Sequence, residues 1–177
     1  MRQEMTRPVQ LGTVIEGTLL NDDLLEAFSG ELDAIRTDSR AHYTLALDAL
    51  NRWYRNDGTD NEYGSNEDDI PDLINELIDA INEYRLPYTY FGTNYGDGAD
   101  FGWWIDFDNL NESVRESESI TQDLRSSDRL SDEESWIQEC DCQENDCIGK
   151  HGFIVHVNDH GNVTLLDHNR KDVWAVV

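Results

Sequence analysis

The sequence predicts an α+β fold in which N-terminal helices pack on a C-terminal antiparallel sheet. Apolar residues recur at helical spacing through the first half of the chain. Aromatic and β-branched runs, separated by glycine-containing turns, fill much of the second half. With 177 residues and no internal repeat, the chain is expected to form one domain over 1–177.

The chain begins with a predicted strand and a helix. Residues 12–20 are rich in β-forming residues and indicate a short strand. A helix is expected from Asn21 or Asp22, because the acidic residues that follow suit its positive N-terminal end. The apolar face of this helix contains Leu24, Leu25, Phe28, Leu32 and Ile35.

A second helix is predicted from Ser39 to about Tyr54. Its buried residues are expected to be Tyr43, Leu47, Leu50 and either Trp53 or Tyr54. The following residues, 56–67, have no apolar period and many turn formers, so they predict a mobile loop.

The third helix has the clearest pattern in the chain. Pro71 fits its first turn, where a missing N–H is tolerated, and Pro87 requires the helix to end by Arg85. Its continuous apolar stripe consists of Ile70, Leu73, Ile74, Leu77, Ile78 and Ile81.

The second half of the chain is expected to be mainly β-structure. Residues 88–107 are aromatic and predict two strands joined by a glycine-rich turn. Residues 108–139 are polar and acidic with weak helical periodicity, so part of this segment is expected to be disordered. The last strands are predicted at 153–157, 163–166 and 173–177.

The chain is strongly acidic, with 38 Asp and Glu against 13 Lys and Arg and a formal net charge of −25. Self-repulsion among like charges destabilises a compact state, so this surplus indicates a role outside folding. An acidic surface repels nucleic acids and lipid headgroups but attracts the basic grooves that neutralise phosphates. The expected partner is such a groove on a nucleic-acid-binding protein, and neither nucleic acid nor a membrane is expected to bind.

The acidity also fits two alternative causes. Lysine occurs only at positions 150 and 171, and low lysine with high aspartate suits proteins that remain hydrated in strong salt. Halophilic adaptation is therefore one alternative. Solubility is the second, although net charges of about 2–8 suffice for a small domain.

Five acidic residues of the third helix form a row beside its apolar stripe. They are spaced 3, 4, 3 and 4 apart, and this spacing places them on one helical face. The residues are Asp69, Asp72, Glu76, Asp79 and Glu83. Their carboxylates lie roughly 4.5–6 Å apart along the axis, close to the few ångströms between phosphates on a strand. An ordinary solvated helix face is the alternative, but such faces usually mix both signs of charge.

A second acidic zone covers residues 106–146 and could extend this surface. Its members in the predicted partner-binding site are Asp106, Asp108, Glu112 and Glu116. Arg115, Arg125 and Arg129 interrupt the zone, so a solvated surface is the alternative here too.

All three cysteines lie within eight residues and a histidine follows them, as Cys140, Cys142, Cys147 and His151. Three thiolates and one imidazole make a tetrahedral zinc site, and four protein ligands leave no open position, so this zinc would be structural. The C-x-C-x4-C-x3-H spacing is not one of the common C-x2-C patterns. Reduced cysteines in a cytoplasmic loop are the alternative.

The sequence contains no recognised catalytic motif. The glycines of 92–102 lack the Gly-Lys-Ser/Thr of a phosphate loop and precede a strand. There is no nucleophile elbow, HExxH or Ser-His-Asp set, so the chain is not expected to be an enzyme. It also lacks a run of about 18 apolar residues and a signal segment, which predicts a soluble protein of the host cytoplasm.

Two segments, GTVIEGTLLNDDLLEAF and YFGTNYGDGADFGWW, resemble short acidic proteins encoded by phages and other mobile elements. These largely uncharacterised proteins share a Tyr-Phe-Gly…Gly-Asp-Gly-Ala-Asp-Phe-Gly-Phe-Trp stretch. The resemblance covers about a fifth of the chain and carries no assigned activity, so it transfers no site residues. It implies a mobile-element setting, where acidic DNA mimics recur as inhibitors of restriction enzymes and CRISPR effectors.

These observations together predict a phage-type inhibitor of host defence that acts by DNA mimicry, as an anti-CRISPR or anti-restriction protein. The alternative is a zinc-stabilised, non-enzymatic adaptor whose acidity reflects solubility or halophilic adaptation.

Overall fold

The computed structural model describes residues 7–35, 40–55, 70–138 and 151–176, and the predicted mobile loop lies outside these ranges. The α+β prediction is confirmed, with two antiparallel sheets and helices mostly in the N-terminal half. The described helices and strands are β1 (Gly12–Glu16), α1 (Asn21–Ile35), α2 (Arg40–Arg55), α3 (Ile70–Asn82), β2 (Thr89–Asn94), β3 (Asp97–Ile105), α4 (Phe107–Glu116), α5 (Glu118–Ser126), β4 (Glu134–Gln138), β5 (Gly152–Val157), β6 (Val163–Asp167) and β7 (Asp172–Val176).

The sequence predicted a single domain, and the chain divides into two compact units. The first unit consists of Met1–Arg85 and Thr89–Ile105. The second consists of Leu86–Tyr88 and Asp106–Val177. Among the helices that the structure describes, none combines the length and the apolar character that a bilayer-spanning segment requires.

The first unit packs helices against a three-stranded antiparallel sheet of order β1-β3-β2. The apolar face predicted for α1 is confirmed, because all five of its residues are buried. Phe28 of α1 contacts Phe91 and Phe101 of the sheet, with ring centroids 5.1 and 5.3 Å apart. The aromatic run of 88–107 thus supplies core residues, among which Trp103 is fully buried.

The buried face of α2 differs from the prediction. Tyr43 and Leu47, predicted to be buried, are 43% and 40% exposed, whereas Ala46 and Ala49 are buried. Leu45 is partly buried against the same core. The side chains of Leu50, Trp53 and Tyr54, which were also candidates for burial, lie outside what the structure describes. The predicted helix is present, but among its described side chains Ala46 and Ala49 are buried in place of Tyr43 and Leu47.

The second unit contains a four-stranded antiparallel sheet of order β4-β5-β6-β7. The predicted hairpin is confirmed as β5 and β6, and its turn has Gly161 at φ +82°, a conformation that favours glycine. The core on one face of this sheet consists of Leu124, Leu130, Trp136 and Ile154.

The acidic segment 108–139, expected to be partly disordered, contains two helices and a strand up to Gln138. A few side chains organise it. Leu110 and Leu124 are buried, while the Thr121 hydroxyl accepts a hydrogen bond from Trp136 N and the Ser117 hydroxyl accepts one from Gln138 N. These hydroxyls satisfy backbone groups of β4, which lies at the edge of its sheet.

Candidate functional site

The candidate site is the set of exposed carboxylates on α3 and directly after it, called here the α3 acidic row: Asp72, Glu76, Asp79 and Glu83. All four residues are exposed. The predicted fifth member, Asp69, lies outside the described residues.

The apolar side of α3 explains why the row faces solvent. Ile70, Leu73, Ile74, Leu77, Ala80 and Ile81 are buried. Their burial fixes the rotation of the helix about its axis, so acidic residues at the intervening positions cannot turn inward. Burial of these apolar residues at ~25 cal/mol per Å² outweighs the few tenths of a kcal/mol that each like-charge neighbour costs.

The α3 helix is also anchored to the sheet at its C-terminal end. The Asn82 amide Nδ2 donates to Phe91 O at 2.9 Å, and Phe91 N donates to Asn82 Oδ1 at 2.8 Å. This reciprocal pair imitates the hydrogen bonds of an additional strand beside β2. The row therefore rests on an element that is held by both packing and hydrogen bonds.

Three members of the row have no neutralising partner in the part of the chain that the structure describes. No described arginine, lysine or histidine forms an ion pair with Asp72, Glu76 or Asp79. The sequence agrees with this, because no lysine or arginine occurs between Arg55 and Arg85.

Glu83, the last member of the row, is held by a histidine that the sequence did not single out. His42 Nε2 lies 3.1 Å from Glu83 Oε2, and His42 Nδ1 lies 2.6 Å from the Tyr84 hydroxyl. In the tautomer that carries the proton on Nε2, His42 donates to Glu83 Oε2 and accepts from the Tyr84 hydroxyl at Nδ1. The imidazole thus contacts the last carboxylate of the row, and it belongs to the neighbouring helix α2.

The other predicted acidic residues lie in the second unit. Asp106 caps α4, because its carboxylate accepts a hydrogen bond from Asn109 N at 3.0 Å. Asp108, Glu112 and Glu116 are exposed and four residues apart, which places them along one side of α4. The structure therefore gives Asp106 a structural role and leaves the other three as a short surface row.

The zinc prediction concerns residues that are largely outside the described ranges. Cys140, Cys142 and Cys147 lie there, and His151 is exposed immediately before β5. Within the described residues, no group of three or more histidine, cysteine, aspartate or glutamate side chains is arranged to hold a metal ion. A structural zinc at these cysteines stays a prediction.

Sequence reasoning did not single out three exposed apolar side chains of the first unit: Leu19, Leu20 and Tyr95. The signal was present at Tyr95, since an aromatic residue between Asn94 and Gly96 occupies a turn position. For the leucines the pattern was misleading, because the predicted strand extended to residue 20, whereas β1 ends at Glu16.

Comparison of the chain with protein-family models, with curated protein sequences and with solved structures found no match.

Proposed function

We propose that this chain is a phage-type inhibitor that occupies the basic groove of a host nucleic-acid-binding defence protein, either a CRISPR effector or a restriction enzyme. In this role the α3 acidic row takes the place of DNA phosphates. The observation that supports the proposal is an exposed row of carboxylates, unpaired with described cations at Asp72, Glu76 and Asp79, on a helix whose opposite side is buried.

The length of the row suits a protein groove that binds nucleic acid. From Asp72 to Glu83 the row extends roughly 16 Å at 1.5 Å per residue. One strand of B-DNA covers that length with about five phosphates at 3.4 Å spacing. Neighbouring carboxylates lie closer together than the Debye length of about 8 Å at physiological ionic strength, so their fields add at a facing basic groove.

The short row on α4 is a separate proposed contact, which belongs to the second unit. Asp108, Glu112 and Glu116 add three exposed carboxylates, although Arg115 lies among them in the sequence. We expect these residues to contribute less binding free energy than the α3 acidic row. The positive charge of the arginine in the same helix partly cancels the negative potential of the three carboxylates.

The proposal is tested by DNA cleavage assays with purified CRISPR effectors and restriction enzymes, at low and high salt. The wild-type chain should inhibit at least one enzyme and should compete with duplex DNA for it. The triple reversal Asp72→Lys, Glu76→Lys and Asp79→Lys should weaken inhibition by more than about a hundredfold, since each like-charge contact with a basic groove is repulsive.

A matched reversal controls for net charge. Glu26→Lys, Asp159→Lys and Asp172→Lys change exposed acidic residues that are outside both the α3 acidic row and the acidic zone 106–146. This variant has the same net charge as the α3 reversal and should retain most of the inhibition. Equal effects of both variants, or no effect of the α3 reversal, would show that the α3 acidic row is not a phosphate mimic.

A further inference from the structure

Two loops of the first unit emerge at the same end of its sheet. Strands β1 and β2 both pair antiparallel with the central strand β3, so they run parallel to each other and end together. Two strand spacings of about 5 Å put their ends about 10 Å apart. Residues 17–20 follow β1 at this end, and the turn of residues 95–96 follows β2.

Both loops present large apolar side chains to solvent. Leu19 is 65% exposed, Leu20 is 68% exposed and Tyr95 is fully exposed. A single exposed leucine is common on protein surfaces and needs no explanation. Three large apolar side chains at one end of a three-stranded sheet resemble the apolar centre of a protein-protein interface instead.

Local hydrogen bonds fix the loop that carries the two leucines. The Thr18 hydroxyl donates to Asp23 Oδ2 at 2.6 Å and accepts from Leu20 N at 3.1 Å. Gly17 N donates to Ala99 O at 3.0 Å, which ties this loop to the start of β3. Little backbone freedom is therefore lost when a partner covers Leu19 and Leu20.

The tyrosine turn is fixed in a similar way. Asn94 Oδ1 accepts from Gly96 N at 2.9 Å, and Asn94 Nδ2 donates to Asp100 Oδ2 at 3.2 Å. Tyr95 lies between these bonded residues and projects from a closed two-residue turn. A rigid exposed tyrosine is a residue type enriched at the energetic centres of interfaces.

The charged residues of these two loops and of the chain segments that contain them are acidic. The acidic residues at this end of the sheet or in the first turn of α1 are Glu16, Asp22, Asp23, Asp97 and Asp100. No lysine or arginine occurs in residues 8–35 or 86–114, which contain both loops and all three strands. An apolar centre beside these acidic residues complements an apolar socket with a basic rim.

We propose that Leu19, Leu20 and Tyr95 form an anchor, called here the sheet-end anchor, for a partner protein with an apolar socket rimmed by arginine or lysine. A second copy of this chain does not fit that description, because its net charge of −25 would oppose association. The anchor goes beyond the proposed function, because it is a contact site in its own right whether or not the α3 acidic row imitates phosphates.

The test uses two synthetic peptides of equal charge, each with six arginines. One peptide also has six leucine or tryptophan residues on the opposite helical face, and the other has six glycine or serine residues instead. Each peptide is titrated into the full-length ¹⁵N-labelled chain. The apolar peptide should bind at least tenfold more tightly than the polar peptide, and it should shift the amide signals of Gly17, Leu20 and Gly96 most strongly.

Two sets of variants locate the effect. Leu19→Ser, Leu20→Ser and Tyr95→Ser together should remove the tenfold preference for the apolar peptide. The matched control, Tyr43→Ser with Leu47→Ser, removes exposed apolar side chains from α2 and should keep the preference. The amide spectrum of each variant without peptide verifies that it is folded.

Three results would overturn the anchor. They are an equal loss of preference in the α2 control, amide shifts that concentrate on α3 for both peptides, and a monomer-dimer equilibrium in sedimentation that depends on Leu19 and Leu20. The α3 reversal variant should keep the preference for the apolar peptide. Failure of phosphate mimicry and failure of the sheet-end anchor therefore give different results.

Discussion

Among the acidic residues that the structure describes, Glu31 and Glu134 are buried, and each is paired with an arginine. Glu31 accepts from Arg7 and also from Trp103 Nε1 at 2.9 Å. Glu134 accepts from Arg170 Nη1 at 2.5 Å and from Ser131 N at 2.9 Å. A buried carboxylate needs a countercharge and further donors to compensate for lost hydration, and both sites provide them.

The ion pair of Glu134 with Arg170 predicts that the free energy of unfolding depends on pH. The Arg170 hydrogen bond is the main reason that the pKa of Glu134 lies below its ordinary value of 4.5, and the Ser131 N–H acts in the same direction against the opposing effect of burial. A lowered folded-state pKa stabilises the protein above the unfolded pKa, and this stabilisation is lost as pH falls through the lowered value. Glu134→Gln should therefore reduce the free energy of unfolding by about 1–3 kcal/mol at pH 7.

Denaturant unfolding of wild type and Glu134→Gln between pH 7 and pH 3 checks this prediction. The difference between the two proteins should shrink once the pH falls below 4.5. Glu133→Gln is the matched control, because the neighbouring Glu133 side chain is 61% exposed, and it should change stability by less than about 0.5 kcal/mol. A constant difference at all pH values would contradict a role for the Glu134 charge.

At the scale of single elements, close packing of β1 and β3 depends on a glycine. A Cβ on Gly102 would lie 2.2 Å from Gly12 O and 2.9 Å from Thr13 Cα, both backbone atoms of β1. Backbone atoms cannot rotate away as a side chain can, so β1 would have to move from β3. Gly102 is thus a packing residue within the aromatic run, although the sequence alone presents it as one of several glycines.

Gly102→Ala is expected to reduce the free energy of unfolding by roughly 2–4 kcal/mol, because two paired strands must separate. Gly98→Ala in the same strand is the matched control, since no atom lies within 4 Å of a Cβ at that position. The control should change stability by at most about 0.5 kcal/mol. Thermal unfolding measures both variants, and equal losses would show that strand propensity, not contact with β1, determines the effect.

At the scale of the whole molecule, the acidic surplus is unevenly distributed along the chain. Residues 8–35, 56–84 and 86–114 contain no lysine or arginine. The α3 acidic row and the sheet-end anchor both lie in these cation-free segments. A uniform demand for solubility would not require such segregation, so the distribution favours recognition of a basic partner over solubility alone.

Salt dependence of stability separates self-repulsion from halophilic adaptation. At an ionic strength of about 0.15 M, charges more than about 8 Å apart are largely screened. The melting temperature should therefore rise between about 0.01 and about 0.2 M KCl, as repulsion among the acidic residues is screened, and then level off. A melting temperature that continues to rise steeply into molar KCl would support halophily instead, and scanning calorimetry across this range distinguishes the two.

The sequence by itself determined the α+β class, the faces of α1 and α3, the C-terminal hairpin and the acidic row with its 3-4-3-4 spacing. These features depend on the periodicity and the turn residues of a single segment, so the sequence of that segment is sufficient to predict them. The local sequence showed only weak helical periodicity over 108–139, so it predicted neither the helix α4 nor the role of Asp106 as its cap.

The tertiary structure decided which apolar side chains of α2 are buried, and which carboxylates of the chain are buried. On α2 Ala46 and Ala49 are buried and Tyr43 is left exposed, because the fit against a neighbouring helix depends on both surfaces. The same holds for Glu31 and Glu134, whose burial needs arginines 24 and 36 residues away in the sequence. Leu19, Leu20 and Tyr95 lie in loops at the same end of a sheet because β1 and β2 flank β3, and strand order is a property of the assembled sheet.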